Sequence, residues 1–264
     1  NAKNMLTTYQ EQYSIPLKIL YPNISTNQIG TEAFPDLLSQ FSTSFSSSNY
    51  NRSTNISLAA SKINGTVLMP GETFSYNQTV GQRTAAAGFK AAAAYSNGEV
   101  VSELGGGICQ VSSTLYNAVL YANLEITERT NHGFKPSYVK PGLDATVSWG
   151  GPDFKFTNNR NYPIKIICDT SGKTLRMYIY GLKTDNDYTV ELQADYLSTV
   201  YAKTVYKTDN SLAHGAQKVV QSGSNGCRTA SYKLLYDSNG NLVAKECISR
   251  DTYNSHNRIV AVGP

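Results

Sequence analysis

Residues 103–124, ELGGGICQVSSTLYNAVLYANL, decide how the rest of the chain is read. Gly105, Gly106 and Gly107 let the backbone take conformations closed to other residues and let neighbouring groups come close. From Ile108 to about Leu124 the apolar positions Val111, Leu115, Ala118, Val119 and Ala122 fall at helical spacing, so a helix opens directly after the glycines. Cys109 then lies at or near the helix N-terminus, where the dipole and unbonded N–H groups favour a thiolate. The same N–H groups suit the oxyanion of an acyl transfer, with the Cys109 amide or the Gln110 carboxamide as natural donors.

Downstream the pattern turns to β. Runs at 145–149, 154–156, 164–168 and 174–180 are apolar or alternating, and Gly150-Gly151, Asn158-Asn159 and Ser171-Gly172 punctuate them. Upstream, Asn55 reads as the cap of a helix ending at Asn64-Gly65. Phe34, Leu37, Leu38 and Phe41 read as one face of an amphipathic helix over 32–41. Residues 1–13 are helix-like, and 15–22 form a short run bounded by prolines. After Leu182 the chain is β throughout, with glycine-bearing turns and an Asn239-Gly240 hairpin signal. The expected fold is therefore α+β: a central helix packed on a mostly antiparallel sheet, followed by a small all-β module.

Composition narrows the function classes. Net charge is +4 and only 16% of the 264 residues are charged. The Lys and Arg are spread along the chain, which argues against a nucleic-acid partner. No run of 18 apolar residues exists to span a membrane. The chain opens at Asn1 with no export signal, which leaves room for a removed signal or anchor upstream. Cys109, Cys168, Cys227 and Cys247 show no CxxC or CxxH spacing, so no metal and no cofactor is expected. Cys168 lies in an apolar β run and reads as structural. Cys227 and Cys247 flank the hairpin and read as near enough to bridge, given a bulge, although a strict register about Asn239-Gly240 sets Tyr232 opposite Cys247.

A thiolate nucleophile needs a base, and the chain has three histidines: His132, His214 and His256. His132 follows the central helix in a loop, where catalytic groups often sit. Asp144 is the first candidate to orient it, with Glu103 and Asp153 behind. Each of these has a plainer reading. Cys109 can be a small buried hydrophobe, and His132 a surface histidine. Ser112, Ser113 and Thr114 can be first-turn residues bonding backbone. Arg83 and Arg129 can be ordinary salt-bridge partners or can grip a substrate carboxylate bidentately. The glycine triplet and its polar surroundings bring the catalytic reading of Cys109 level with the plainer one.

The chain resembles the VanW family, named from vancomycin-resistance clusters, over residues from about 40 to 181. The segments that carry the resemblance are FSTSF, NISLAASKINGTVLMPGETFSYN, VGQRTAAAGF, ELGGGICQVSSTLYNA, ER followed by His132, SYV, GLDATVSWGG and DFKFTNN. Residues from about 185 to 264 resemble the G-five domain through SGSNG, the Asn239-Gly240 hairpin and the closing RIVAVG. The resemblance implies three parts: the tail of a preceding wall-associated region (1–40), a VanW unit (41–182) and a G-five module (183–264). It implies an extracellular bacterial protein of the cell wall or surface whose partners are peptidoglycan stem peptides. The implied activity is an L,D-transpeptidase with Cys109 as nucleophile, His132 as acid–base and Asp144 as orienting group. Arg83, Gly106, Gly107, Gln110, Ser112, Ser113, Arg129 and Tyr138 would contact the substrate. A cysteine endopeptidase or amidase, and a non-catalytic peptidoglycan-binding protein, are the alternatives.

Overall fold

The computed structural model describes residues 33–264 apart from residues 97–98 and 186. The elements expected over 1–13 and 15–22, and most of the tail assigned to 1–40, lie outside the described residues. The first part contains β1 (Asp36–Ser44), α1 (Tyr50–Ile63), β2 (Val67–Leu68), β3 (Thr73–Ser75), α2 (Tyr76–Val80), β4 (Ala91–Ser96), β5 (Glu99–Leu104), α3 (Ile108–Tyr121), β6 (Glu125–Glu128), β7 (Lys155–Thr157), β8 (Ile164–Asp169) and β9 (Thr174–Gly181). The second contains β10 (Thr189–Val200), β11 (Thr204–Thr208), β12 (Gln217–Gln221), β13 (Gly226–Tyr236), β14 (Leu242–Tyr253) and β15 (Arg258–Val262).

The fold is α+β. Its principal sheet runs β1-β9-β8-β2, with every pairing antiparallel. Small sheets β3-β7-β6 and β4-β5 flank it. The second part is all β, in sheets β10-β13-β14 and β11-β15-β12, the β11–β15 pair being parallel. Among the described residues no sheet joins a strand before Gly181 to one after it. Leu192, Ala194 and Ile248 of the second part nevertheless pack against the core of the first.

Helix α3 lies at the centre of that core. Ile108 and every residue from Gln110 to Leu120 are buried, which an amphipathic surface helix would not show. Buried polar groups need partners, and here they tie the helix to its neighbours. Ser39 of β1 donates to the Ala118 carbonyl at 2.6 Å, Thr43 meets Thr114 at 2.8 Å, and Asn117 donates to the Leu143 carbonyl at 2.7 Å. No helix of the described residues is long and apolar enough to cross a membrane.

Four local expectations are corrected. The segment read as an amphipathic helix over 32–41 is mostly strand β1, paired with β9. A register shift between Leu37 and Ser39 places two leucines in succession, and the bulge imitates helical spacing. Helix α1 begins at Tyr50, capped by the Asn49 side chain, which accepts from the Arg52 N–H at 2.9 Å; Asn55 lies inside the helix. Residues 145–149 form no strand, because their backbone is bonded elsewhere. Ala145 N–H donates to the Ser113 hydroxyl at 3.0 Å, and Thr146 N–H donates to the Thr130 carbonyl at 2.8 Å. Finally, Cys227 pairs with Tyr253 and Cys247 with Tyr232. The two cysteines are thus six strand positions apart in register, roughly 20 Å at the usual rise, and all four cysteines are free.

Candidate functional site

The site is built on the glycine turn that opens α3. Gly105 and Gly107 have φ of +86° and +109°, and Gly107 caps the helix. A Cβ on Gly106 would stand 2.5 Å from the Ala92 carbonyl oxygen, so the turn lies flat against β4. Asn55 pins it there, donating to the Gly106 and Lys90 carbonyls at 3.0 and 2.9 Å and accepting from the Lys90 N–H at 2.8 Å. Gly106 is thereby enclosed by protein, while Gly107 keeps some exposure.

Cys109 is the second residue of α3 and is half-buried. Its Sγ lies 3.7 Å from Thr146 Oγ1 and 3.5 Å from the Val147 carbonyl oxygen. The His132 imidazole stands within hydrogen-bonding reach of the thiol. His132 Nδ1 meets Asp144 Oδ2 at 2.6 Å, and the His132 backbone N–H donates to the same oxygen at 2.7 Å. Nε2 is left to the thiol side, where the Tyr138 hydroxyl lies 3.3 Å away. Asp144 is fully buried, and its Oδ1 accepts from Arg129 at 3.2 Å and from the Tyr253 hydroxyl.

The electrostatics follow from this line of groups. Burial by itself would push the Cys109 thiol up. The hydrogen bond and charge of His132, helped by the Val147 backbone and the Thr146 hydroxyl, outweigh burial and hold the thiol below its ordinary value. Burial would likewise lower His132, but Asp144 and the facing Cys109 raise it to about 9. The lowered thiol thus faces an imidazole that holds its proton more firmly than usual, and the pairing favours the thiolate–imidazolium form. Cys168 shows the contrast: burial with no cation nearby pushes it up to about 12.

The other expected site residues are placed as follows. Tyr138 lies beside the imidazole. Ser112 and Ser113 face inward, donating at 2.7 Å to the carbonyls of Ala145 and Cys109 respectively, so they hold α3 to the segment behind the thiol. The Gln110 carboxamide turns away from Sγ, donating to Thr43 Oγ1 at 3.0 Å and the Ser44 carbonyl at 2.9 Å. Its backbone N–H is taken by the Gly107 carbonyl at 3.0 Å, so neither group points to an oxyanion. Arg129 is committed to two carboxylates and stands behind the imidazole. Arg83 is buried against Gly105 and the Tyr76 ring, with Nη2 donating to Asn77 at 2.7 Å. Asp153 binds Ser75 and Asn77, and Glu103 is exposed.

Three positions that sequence reasoning passes over complete the surroundings. Arg52 lies along Gly107, its Nη2 donating to Gln110 at 2.9 Å and its Nη1 to Ser48 at 2.5 Å. Among the described residues it has no carboxylate partner. Asp251 and Tyr253 arrive from β14, more than 100 positions away in the chain. No spacing signal reaches that far, and Asn55, which pins the glycine turn, had drawn notice only as a helix cap.

Comparison with known proteins matches the family described as VanW like protein to residues 51–180 and the G5 domain to residues 197–264. The uncharacterized protein YoaR of Bacillus subtilis (strain 168) is 49% identical over 162 residues, covering 61% of this chain and 50% of that protein. The vancomycin B-type resistance protein VanW of Enterococcus faecalis (strain ATCC 700802 / V583) is 34% identical over 122 residues, 44% of each chain. The chain spans about half the length of these relatives. Two solved G5 structures, HP0197-G5 and the IgA1 protease G5 domain, align with 29% and 30% of the chain at 21% identity, with TM-scores of 0.18 and 0.22.

Proposed function

For a chain that carries a VanW-like domain over residues 51–180 and a G5 domain over 197–264, we propose a cysteine acyltransferase of the bacterial cell surface, an L,D-transpeptidase acting on peptidoglycan stem peptides. The catalytic unit spans 41–182 and the G-five module 183–264. The observation that carries this reading is the line Cys109–His132–Asp144: a thiol at a helix start, an imidazole in reach of it, and a buried carboxylate on the far ring nitrogen.

In this mechanism the Cys109 thiolate attacks the carbonyl of the third residue of a tetrapeptide stem. The oxyanion rests on the Cys109 N–H at the start of α3. The imidazolium of His132 gives its Nε2 proton to the departing D-alanine amine as the C–N bond breaks, leaving a thioester. The side-chain amine of a second stem then attacks. Neutral His132 takes the proton of that amine, the thiolate leaves, and a 3-3 crosslink remains. Arg52, beside Gly107 and lacking a carboxylate partner among the described residues, supplies a cation for the carboxylate at the end of the donor stem.

Incubation of the protein with defined muropeptides, followed by mass spectrometry, tests the proposal. Crosslinked dimers with loss of one D-alanine are expected, and none with Cys109→Ala. Cleavage without dimers would make the protein an endopeptidase or amidase. Unchanged masses, with retention on peptidoglycan, would make it a binding protein.

A further inference from the structure

We propose that strand β14 of the C-terminal module is a positioning element of the candidate active site, with Tyr253 and Asp251 holding Asp144 and, through it, His132. The inference rests on the acyl-transfer reading for its catalytic consequence, but the physical coupling it asserts is measured independently of turnover.

The coupling is a continuous chain of bonds across the two parts of the molecule. Asp144 divides its oxygens: Oδ2 faces His132, and Oδ1 accepts from the Tyr253 hydroxyl and from Arg129. The Tyr253 oxygen itself accepts from the Gly142 N–H at 2.6 Å, so one fully buried phenol fixes both the carboxylate and the loop that bears it. Arg129 donates to the Asp144 carbonyl at 2.6 Å, and its Nη1 reaches both oxygens of Asp251 at 2.7 and 2.9 Å. Ser249, also on β14, donates to Asp251 at 2.9 Å and fixes that carboxylate in turn.

The backbone shows the same docking. β14 is an edge strand of β10-β13-β14, and an unpaired edge seeks partners. The loop that carries His132 supplies them. Asn131 Nδ2 donates to the Thr252 carbonyl at 3.1 Å, and the Asn254 N–H donates to the Gly133 carbonyl at 2.7 Å. Phe134 stacks on His256 with ring centres 4.0 Å apart. Contact at Gly142 is so close that a Cβ there would stand 2.1 Å from Ser231 Oγ of β13. The histidine loop thus has two neighbours, α3 on one side and the module on the other.

Charge gives the coupling a sign. The groups around His132 are Cys109 of α3, Tyr138 and Asp144 of its own loop, Arg129 behind Asp144, Arg52 of α1, and Asp251 with Tyr253 of β14. Asp251 offsets the cation of Arg129. Removing that negative charge leaves Arg129 acting undiminished on Asp144 and makes the imidazolium harder to keep.

The test uses full-length protein in a Cys247→Ser background, with Asp251→Asn and Tyr253→Phe as variants. His132 is titrated by NMR, and Cys109 alkylation by iodoacetamide is followed against pH. Asp251→Asn should lower the His132 midpoint by about half a unit or more. Both variants should lower kcat on muropeptides about ten-fold or more with KM nearly unchanged, the mark of lost positioning rather than lost binding. Val260→Ala, which loosens the module at a buried site on β15, serves as the stability control and should move neither the midpoint nor kcat. If Asp251→Asn does not fold, Ser249→Ala, which removes the hydroxyl bonded to Asp251 and to the Gly142 carbonyl but keeps the Asp251 charge, carries the kcat expectation alone, with a smaller loss. Folded variants with an unchanged His132 midpoint and alkylation profile overturn the proposal, as does a control that shifts them equally. If Cys109→Ala still crosslinks, the transpeptidase reading fails while the titration result stands or falls by itself.

Discussion

At the scale of single residues, Cys109 is set apart from the other cysteines by its neighbours rather than by exposure. Cys247 is exposed and Cys227 buried, while Cys168 is half-buried like Cys109, yet its thiol is pushed up by burial alone. The Cys109 thiol is lowered only because His132 outweighs burial. In a Cys247→Ser background, the alkylation rate of Cys109 should rise through a midpoint below about 8.5, the ordinary thiol value. In His132→Ala the opposing burial acts unbalanced, and the midpoint should move above that value. Peptide mapping after iodoacetamide treatment at stepped pH reads both, and coincident midpoints would contradict the assigned pairing. Because His132 loses its proton near 9, turnover that needs the imidazolium should also fall as pH rises through about 9. Cys109 and His132 were legible beforehand because their signals are local: a glycine triplet before a helix, and few histidines. The Gln110 side chain turns from the thiol and Arg129 takes the salt-bridge role, the plainer of its two readings, because a side chain's direction is not a property of sequence spacing.

At the scale of elements, the entry to α3 depends on close contact with β4. Gly106 has no room for a Cβ, since Ala92 and Ala93 carbonyl oxygens would lie 2.5 and 2.8 Å from it. Gly106→Ala must therefore shift either β4 or the start of α3. The expected cost is about 1–3 kcal/mol, typical of overpacking, readable as a lower urea midpoint, together with a rise in the Cys109 alkylation midpoint as the thiol leaves its partners. An alanine variant with wild-type stability would show that the turn has slack the geometry does not reveal. Helix α3 itself was readable from periodicity, because a core helix still repeats its apolar positions. Strand β1 was not, because the irregularity between Leu37 and Ser39 gave the apolar residues a helical spacing, and its pairing with β9 overrode that local pattern. The segment 145–149 kept the alternation of a strand, with Ala145 and Val147 buried, yet its hydrogen bonds went to α3 side chains and to Thr130.

At the scale of the whole molecule, the buried ion pairs around Arg129 join the two parts. Its guanidinium and the carboxylates of Asp144 and Asp251 are almost wholly enclosed, at 8%, 0% and 6% side-chain exposure. Removing one partner of a buried pair leaves uncompensated charge, so Arg129→Gln should cost about 3–5 kcal/mol at pH 7 by urea unfolding. Burial would raise the Asp144 carboxyl, but His132, Arg129 and Tyr253 outweigh burial and hold it low. Its stabilising contribution is thus complete above about pH 4, the ordinary carboxylate value, and is lost as pH falls through the lower native value. The penalty of Arg129→Gln should therefore shrink on acidification; a penalty equal at pH 7 and pH 3 would contradict the assignment. By itself the sequence determined the fold class, the central helix and the all-β second part, and it named Cys109, His132 and Asp144 as candidates, because periodicity, glycine placement and residue chemistry are written locally. Only the tertiary structure decided what stands behind Asp144, which arginine lies beside the glycine turn, and that Cys227 and Cys247 are too far apart in register to bridge. Those depend on groups distant in the chain meeting at bond length, and burial alone makes such meetings strong enough to fix a site.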